Sequence, residues 1–445
     1  MKFRKFGKAL LMSAISVGAV LSVSSCVQSY TVGFLYVTGT QTSGTAGQGI
    51  ISGFKIDHNT GRLVPINGLP VATGGAYPER AILLNNGSRF LYVLNKGGDN
   101  CTAAAPCPQA NIVQFAVGGN GVLSQQGTFF TQGQNPFRMV ADANGGHIYV
   151  LDHDAPNSAS CSLVLGSGAT SCGDVTAFNV DNTTGRLSLI QNAQVSSASG
   201  APLSYFPVPA NPIDFVLSAG YIITLSGTPA TGDSSFPYTL SPANGQLTIG
   251  QNTAQPLNVS NATSIQAGNN FIYVLDNDPI TIPAGTSSTF SAGTYPSQIL
   301  PFSVGAGGAL QAQTGGAVPD ASPQTDPLFI IFETGQSNKW AYLSNFGGVN
   351  TNNAQSSIVG YDIDTTSRQL TNMSLSPFPT GSGPRCLVED PSNNFIYTAN
   401  FNDSTVTGRS IDHNSGVLKS LNGAANKAYS LPGPATYCLI DGRTS

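Results

Sequence analysis

The segment FLYVLN at 90–95 recurs along the chain as FLYVTG at 34–39, HIYVLD at 147–152, FIYVLD at 271–276 and FIYTAN at 395–400. Such self-similarity is the mark of a repeat architecture, in which one supersecondary unit is built again and again. Aligned on this segment, seven strands appear: Phe34–Val37, Phe90–Leu94, His147–Leu151, Tyr221–Leu225, Phe271–Leu275, Trp340–Leu343 and Phe395–Ala399. Each is followed by another apolar strand, mostly alternating, such as IISGFKI at 50, VTAFNV at 175 or IVGYDI at 358. A hairpin then closes the unit, as in DHNTGRL (57–63), DNTTGRL (181–187), SPANGQL (241–247) and DHNSGVL (412–418). Asn and Gly belong in these turns because tight reversals need residues that tolerate positive φ.

A further apolar run precedes the recurring segment, usually led by proline: PERAILL at 78, PFRMVA at 136, PIDFVL at 212, PLFIIF at 327 and PRCLVE at 384. A proline at a strand start lies outside the ladder and costs no hydrogen bond. Four strands per unit, seven times over, spaced roughly 50 to 75 residues apart, predict an all-β seven-bladed β-propeller with four-stranded antiparallel blades. The first strand ATSIQA (262–267) lacks its proline and YIITLSG at 221 lacks the aromatic–valine pair, so the fourth blade is expected to be degenerate. The series opens on a second strand at Phe34 and closes on an unpaired first strand, PATYCLID at 434–441. One blade is therefore expected to combine N-terminal strands with the C-terminal strand, which removes the last open edge.

Charged residues make up 9% of the chain, against roughly 25% in an average soluble protein. Eighteen Lys and Arg against 22 Asp and Glu give a net charge of −4, which provides no basic field for nucleic acid. The 51 glycines and 28 prolines fit many short strands and tight turns, and 40% apolar content argues against disorder.

Lys2, Arg4, Lys5 and Lys8 precede an apolar run from Ala9 to Val23 and then small residues leading to Cys26. This order is that of a secretory signal, too short for a comfortable membrane span. The stretch Val23-Ser24-Ser25-Cys26 is similar to a bacterial lipobox. The expected organisation is a signal peptide over 1–25, lipidation at Cys26, a short tether over 26–32 and a single propeller domain over 33–445. Plain secretion, with Cys26 just downstream of the cut, is the alternative. Export to a bacterial cell envelope, with a lipid anchor in the membrane, is the expected location.

Six cysteines remain, which suits disulfides in an exported chain. Cys101 with Cys107 and Cys161 with Cys172 are local pairs in long loops. Cys386 and Cys438 lie on neighbouring inner strands if the ring closes as expected, either bridged or as two buried thiols.

The strands FLYVLN, HIYVLD, FIYVLD and FIYTAN, with the hairpins IDHNTGRL, VDNTTGRL and IDHNSGVL, resemble the lactonase family of seven-bladed propellers, which includes the propeller-type 6-phosphogluconolactonases. The resemblance spans residues 33–441. It implies hydrolysis of a sugar or related lactone at one mouth of the central channel. The alternative is a non-catalytic, surface-anchored propeller that binds a glycan, peptide or protein partner, because the repeated positions serve packing and turns in either case.

Lactone hydrolysis needs a base for water and cationic or N–H donors for the oxyanion. His153 is the candidate base, with Asp152 or Asp154 to orient it. Arg80, Arg138 and Arg385 near the starts of inner strands are the candidate anion-binding groups, Arg138 with a catalytic part, and Asp214 sits at a similar place where it could pair with one of them. Asn95, Asp152, Asp276, Asn345 and Asn400 end their second strands and are expected to ring the mouth as ligand-binding groups. The Asp-x-Asp pairs at 152–154 and 276–278 suit Ca2+ in ligand type, yet no glycine-hinged loop or Cys/His set accompanies them, so neither metal nor cofactor is expected. A small-molecule lactone or carbohydrate-type ligand and a monomeric state complete the expectations.

Overall fold

In the computed structural model, described residues run from 30 to 442, apart from 44, 46, 99–106, 108–109, 198, 250–252, 269, 288–289, 321–324, 336–338, 348–355, 365–366, 368 and 422–427. Seven antiparallel sheets form the ring. Blade one combines Ala435–Gly442 with Thr31–Thr40, Gln48–Asp57 and Leu63–Pro65. Blades two to seven begin with the inner strands Pro78–Asn86, Gln134–Ala141, Pro212–Ser218, Ala262–Gly268, Pro327–Phe332 and Pro384–Glu389. In every blade but the second, the fourth strand is broken, as in Leu63–Pro65 and Val71–Ala76, both of which pair with Gln48–Asp57.

In five blades the recurring hexapeptide couples one blade to the next. Tyr36, Tyr92, Tyr149, Tyr342 and Tyr397 are fully buried, and their hydroxyls donate to the carbonyls of Gly121, Gly185, Gly245, Gly416 and Gly61 at 2.6–3.1 Å. Each of these glycines is the turn glycine of the following blade's hairpin. At Gly185 φ is +67°, and a Cβ would come within 2.6 Å of the Phe90 ring. The residue two before the tyrosine thus packs on the glycine while the tyrosine bonds its carbonyl. Burying a large ring and satisfying its hydroxyl together make this the repeated unit of inter-blade stability.

Blade four is regular in backbone despite its divergent sequence. Tyr221–Thr228 pairs with Gly232–Leu240 in unbroken register, because the ladder needs only backbone groups and β-branched side chains. What is lost is the hydroxyl: Ile223 stands where other blades carry tyrosine, and Tyr221 packs on Gly308 of blade five.

Closure follows the expected strand exchange. Ala435–Gly442 pairs with Thr31–Thr40, with Val37 opposite Cys438, and Arg89 of blade two makes an ion pair with Asp441 at 3.0 Å. A disulfide joins Cys386 to Cys438, and a second joins Cys161 to Cys172. Cys107 is also disulfide-bonded, while its expected partner Cys101 lies outside the described residues. Cys26 and the expected signal peptide lie outside them too. The chain enters at the hairpin end of blade one, where Tyr30 stacks on His58 at 4.3 Å between ring centroids.

Candidate functional site

Each inner strand starts at the mouth, where its neighbouring second strand ends, and each carries a register shift near that start. The shifts fall between Pro78 and Arg80, Pro212 and Asp214, Ala262 and Ser264, Pro327 and Phe329, and Pro384 and Cys386, with counterparts in blades three and one. Bulges of this kind re-aim side chains. The residues just past them form one layer around the channel: Tyr437, Arg80, Arg138, Asp214, Ser264, Phe329 and Cys386.

Several residues of this layer meet across blades. The Arg80 guanidinium lies over the Tyr437 ring at 4.7 Å, and Phe329 meets that same ring edge-on at 6.1 Å. Arg138 Nε donates to Asp214 Oδ1 at 3.1 Å, as their matching repeat positions suggest. Asp214 also accepts from Ser264 Oγ at 2.7 Å, from the Ile265 N–H at 3.2 Å and from its neighbour Phe215 N–H at 2.9 Å. The ion pair is largely desolvated, with side-chain exposures of 20% for Arg138 and 7% for Asp214. Arg80 makes no ion pair or hydrogen bond among the described residues. Burial, with Arg138 adding to it, lowers its pKa to about 10.

A cavity of 390 Å3 runs down the channel past Arg80, Arg138, Asp214, Gln266, Phe329 and Tyr437, a size suited to a small ligand. It offers one neutralised guanidinium and one without a counter-ion, between an aromatic wall and an amide.

Arg385 does not share this layer. It follows its proline by one residue, whereas Arg80 and Arg138 follow theirs by two, and one step along a strand reverses the side chain. Its guanidinium lies over Phe401 at 4.2 Å and Phe346 at 5.5 Å, outside the residues lining the cavity.

The polar residues that end the second strands are fully buried and clasp the link arriving from the preceding blade. Asn95 donates to Asn111 Oδ1 at 2.8 Å and to the Thr73 carbonyl at 3.5 Å. Asn345 donates to Asp320 at 3.5 Å, and Asn400 accepts from Thr380 at 3.4 Å. Asp276 accepts from the Asn261 N–H at 3.2 Å and from Gln298 at 2.8 Å. The ring exists, but it lies within the blade tops, because the channel wall is made by inner strands.

Asp152 faces Asp174 across the second and third strands of blade three, both fully buried. Thr176 Oγ1 donates to Asp152 at 3.0 Å and approaches Asp174 at 3.4 Å. Burial raises the Asp152 pKa to about 7 and pushes Asp174 well above the carboxylate range, with Asp152 adding to the second effect. His153 stands at the rim with 45% of its side chain exposed, and its Nδ1 faces Asp154, not Asp152, at 3.0 Å. His153 and Arg138 lie against the same Phe137 ring, with the His153 centroid at 6.4 Å and the Arg138 Cζ at 5.2 Å. Asp278 accepts the Ser260 N–H at 2.7 Å, and no group of three or more His, Cys, Asp and Glu among the described residues is arranged to hold a metal ion.

Sequence reading missed Tyr437, Gln266 and Phe329. For Phe329 the signal was present in the alignment of inner strands two residues past the proline, a position that also holds Arg80, Arg138 and Asp214, whereas Tyr437 stands three past its proline and the strand of Gln266 has none.

A ring of seven antiparallel blades, closed by both termini around a cation-bearing channel, defines the class as a seven-bladed β-propeller. The chain belongs to the family described as "Lactonase, 7-bladed beta-propeller", which matches residues 48–199 and 332–431, more than half its length. Among solved structures it is similar to a candidate 6-phosphogluconolactonase from Bacteroides fragilis, at 16% identity, with a TM-score of 0.61 and coverage of 92% of this chain and 98% of that one. A candidate 6-phosphogluconolactonase from Bacteroides uniformis gives 15%, 0.62, 92% and 100%. The periplasmic gluconolactonase of Pseudomonas aeruginosa gives 15%, 0.60, 92% and 99%. At these identities the likeness concerns the fold. No curated protein sequence matches the chain.

Proposed function

We propose that the protein hydrolyses a sugar-type lactone in the channel, the family membership and the cavity's guanidinium pair being the support. The observation that carries this reading is Arg80, a desolvated guanidinium beside Arg138 with no carboxylate of its own. Attack of water on a lactone carbonyl places negative charge on the carbonyl oxygen, and preorganised cationic donors in a water-poor site stabilise that charge. Arg80 supplies those donors, while Arg138, held by Asp214, orients the substrate. His153 at the rim serves as the base that takes the water proton. Collapse of the intermediate breaks the bond between the carbonyl carbon and the ring oxygen, His153 returns the proton to that oxygen, and the carboxylate of the resulting hydroxy acid remains paired with Arg80 until release.

The disulfides fit an oxidising compartment. The proposed setting is the cell envelope, with lipid on Cys26 as the tether. An unphosphorylated sugar lactone suits that location better than a phosphorylated metabolite of the cytoplasm.

The test is acid release from glucono-δ-lactone and a panel of sugar lactones by protein lacking residues 1–26. Wild type should exceed the buffer rate, and Arg80→Ala should lower kcat/KM by about 100-fold, the scale of losing an oxyanion donor. His153→Ala should lower kcat with little change in KM. No excess rate across the panel overturns the hydrolase reading. It would favour a second one, a non-catalytic binder of anionic small molecules, since Asp214 is committed to Arg138, Ser264 and the Ile265 N–H and is not free to act as a base.

A further inference from the structure

The inner strand of every blade ends its sheet, so one of its edges faces the channel without a partner strand. In an antiparallel pair, residues alternate between turning both backbone groups toward the partner and turning both away. Side-chain contacts fix that phase here. The Phe215 N–H donates to Asp214 at 2.9 Å, the Ile265 N–H to Asp214 at 3.2 Å and the Ile330 N–H to Gln266 Oε1 at 3.1 Å, each away from its second strand. In blade three the Asp142 N–H bonds the His147 carbonyl of the second strand, which leaves Ala141 and Met139 turned to the channel.

Past the arginines, blades three, four and five therefore present two tiers of channel-facing backbone groups. The first tier holds Met139, Phe215 and Ile265, and the second, one pleat further on, holds Ala141, Leu217 and Ala267; all line the 390 Å3 cavity. At roughly 3.3 Å per residue the second tier lies about 10 Å from the level of Arg138. Asp214 takes the Phe215 and Ile265 N–H groups and leaves their carbonyls to the channel. The side chains between the tiers are Val140, Val216 and Gln266, and the Gln266 amide is committed. Its Nε2 donates to Ser264 Oγ at 3.0 Å and to the Leu328 carbonyl at 3.3 Å, while its Oε1 accepts from Ile330. Hydrogen bonding in this part of the wall is thus left to the strand edges.

We propose that this part of the channel is a subsite for an open-chain polyhydroxy acid, its carboxylate on Arg80 and its chain extended along the two tiers. Each hydroxyl of such a chain both donates and accepts, which matches an edge that presents N–H and C=O in turn. A closed ring spreads its hydroxyls around a disc, whereas the tiers follow one another along the channel. An aliphatic chain would strip water from the same backbone groups and replace none of its hydrogen bonds. The consequence for turnover rests on the lactone hydrolysis proposed above: breaking the ring converts the substrate into the extended shape that the tiers hold. The product acid therefore competes with the next lactone for Arg80.

Calorimetric titration of the protein lacking residues 1–26 with gluconate, glycerate, acetate and octanoate tests it. Gluconate should bind saturably and at least about tenfold more tightly than acetate, with glycerate between them, because each added hydroxyl brings hydrogen bonds. Ala267→Trp, which fills the second tier, should weaken gluconate at least about tenfold and glycerate far less, and Arg80→Ala should weaken all the acids. Far-UV circular dichroism and the unfolding midpoint establish that each variant is folded, and the series of acids on the wild type decides without them. In lactone assays gluconate should raise the apparent KM and leave kcat unchanged. Gluconate binding no tighter than acetate, octanoate binding as tight as gluconate, or gluconate binding unmoved by a folded Ala267→Trp variant overturns the proposal. Gluconate binding by a protein that opens no lactone upholds the subsite and removes the hydrolase reading alone, and turnover without gluconate binding does the reverse.

Discussion

Asp152 and Asp174 oppose each other in the antiparallel register of blade three with no exposed surface, and they share the Thr176 hydroxyl. Burial favours their protonated forms in the folded protein, whereas both ionise near pH 4 in the unfolded chain. From about pH 4 up to about pH 7 the folded state therefore holds more protons than the unfolded one, and stability falls as pH rises through that window. Urea midpoints should be higher at pH 5 than at pH 8, and Asp174→Asn should flatten the slope and raise the midpoint at pH 8. A midpoint that rises with pH across this range, in both proteins alike, contradicts the assignment.

The tyrosine-to-glycine contacts should act as separable units. Tyr92→Phe leaves the Gly185 carbonyl without its buried donor and should cost about 1–2 kcal/mol, read from chemical denaturation. Gly185→Ala combines positive φ with a collision against Phe90 and Gln114, and should cost more than Tyr92→Phe. Equal effects from an exposed glycine such as Gly220→Ala, which meets nothing within 4 Å, would deny the packing role.

The Cys386–Cys438 bridge closes a sequence separation of 52 residues, and that between Cys161 and Cys172 one of 11. On loop-closure entropy the first should contribute about 4 kcal/mol and the second about 3. Paired Cys→Ala substitutions measured under oxidising conditions should therefore rank the ring-closing bridge first. An equal or reversed ranking would show that strand pairing with Thr31–Thr40 secures closure without it.

Asp214 joins three blades through Arg138, Ser264 and the Ile265 N–H. Asp214→Ala should leave a desolvated guanidinium without its partner and destabilise by about 3 kcal/mol. The double change Arg138→Met with Asp214→Leu should recover much of that loss, while lactone turnover stays below wild type. Recovery of stability together with full turnover would remove Arg138 from the site.

The architecture was legible because the residues that repeat are those that join blades. Tyr92 and Gly185 are distant in sequence, yet each belongs to a motif whose period reveals the other. That Asp214 could pair with one of the arginines was legible for the same reason, since Asp214 and Arg138 both sit two residues past a proline, but the choice of Arg138 was not. Arg385 does start an inner strand as expected, but it stands one residue nearer its proline than Arg80 and Arg138 do, and the bulge that makes this offset decisive is seen in the backbone pairing. The destinations of Asn95 and Asn400 were hidden for another reason. A side chain at a strand end turns toward whichever link passes it, and the only trace of those links in the sequence is a threonine four or five residues before the proline, Thr73, Thr131 and Thr380, which pairwise spacing alone does not connect to Asn95, Asp152 and Asn400.

The first described residue, Tyr30, leaves blade one on the face that carries the hairpin turns, held there by the His58 N–H and ring. Arg80 and Arg138 stand toward the other face. A lipid attached at Cys26 would thus dock the propeller on its turn side and present the arginine-lined opening to the surrounding fluid. Solutes would reach the channel from bulk solution, with no need to squeeze between the protein and the bilayer.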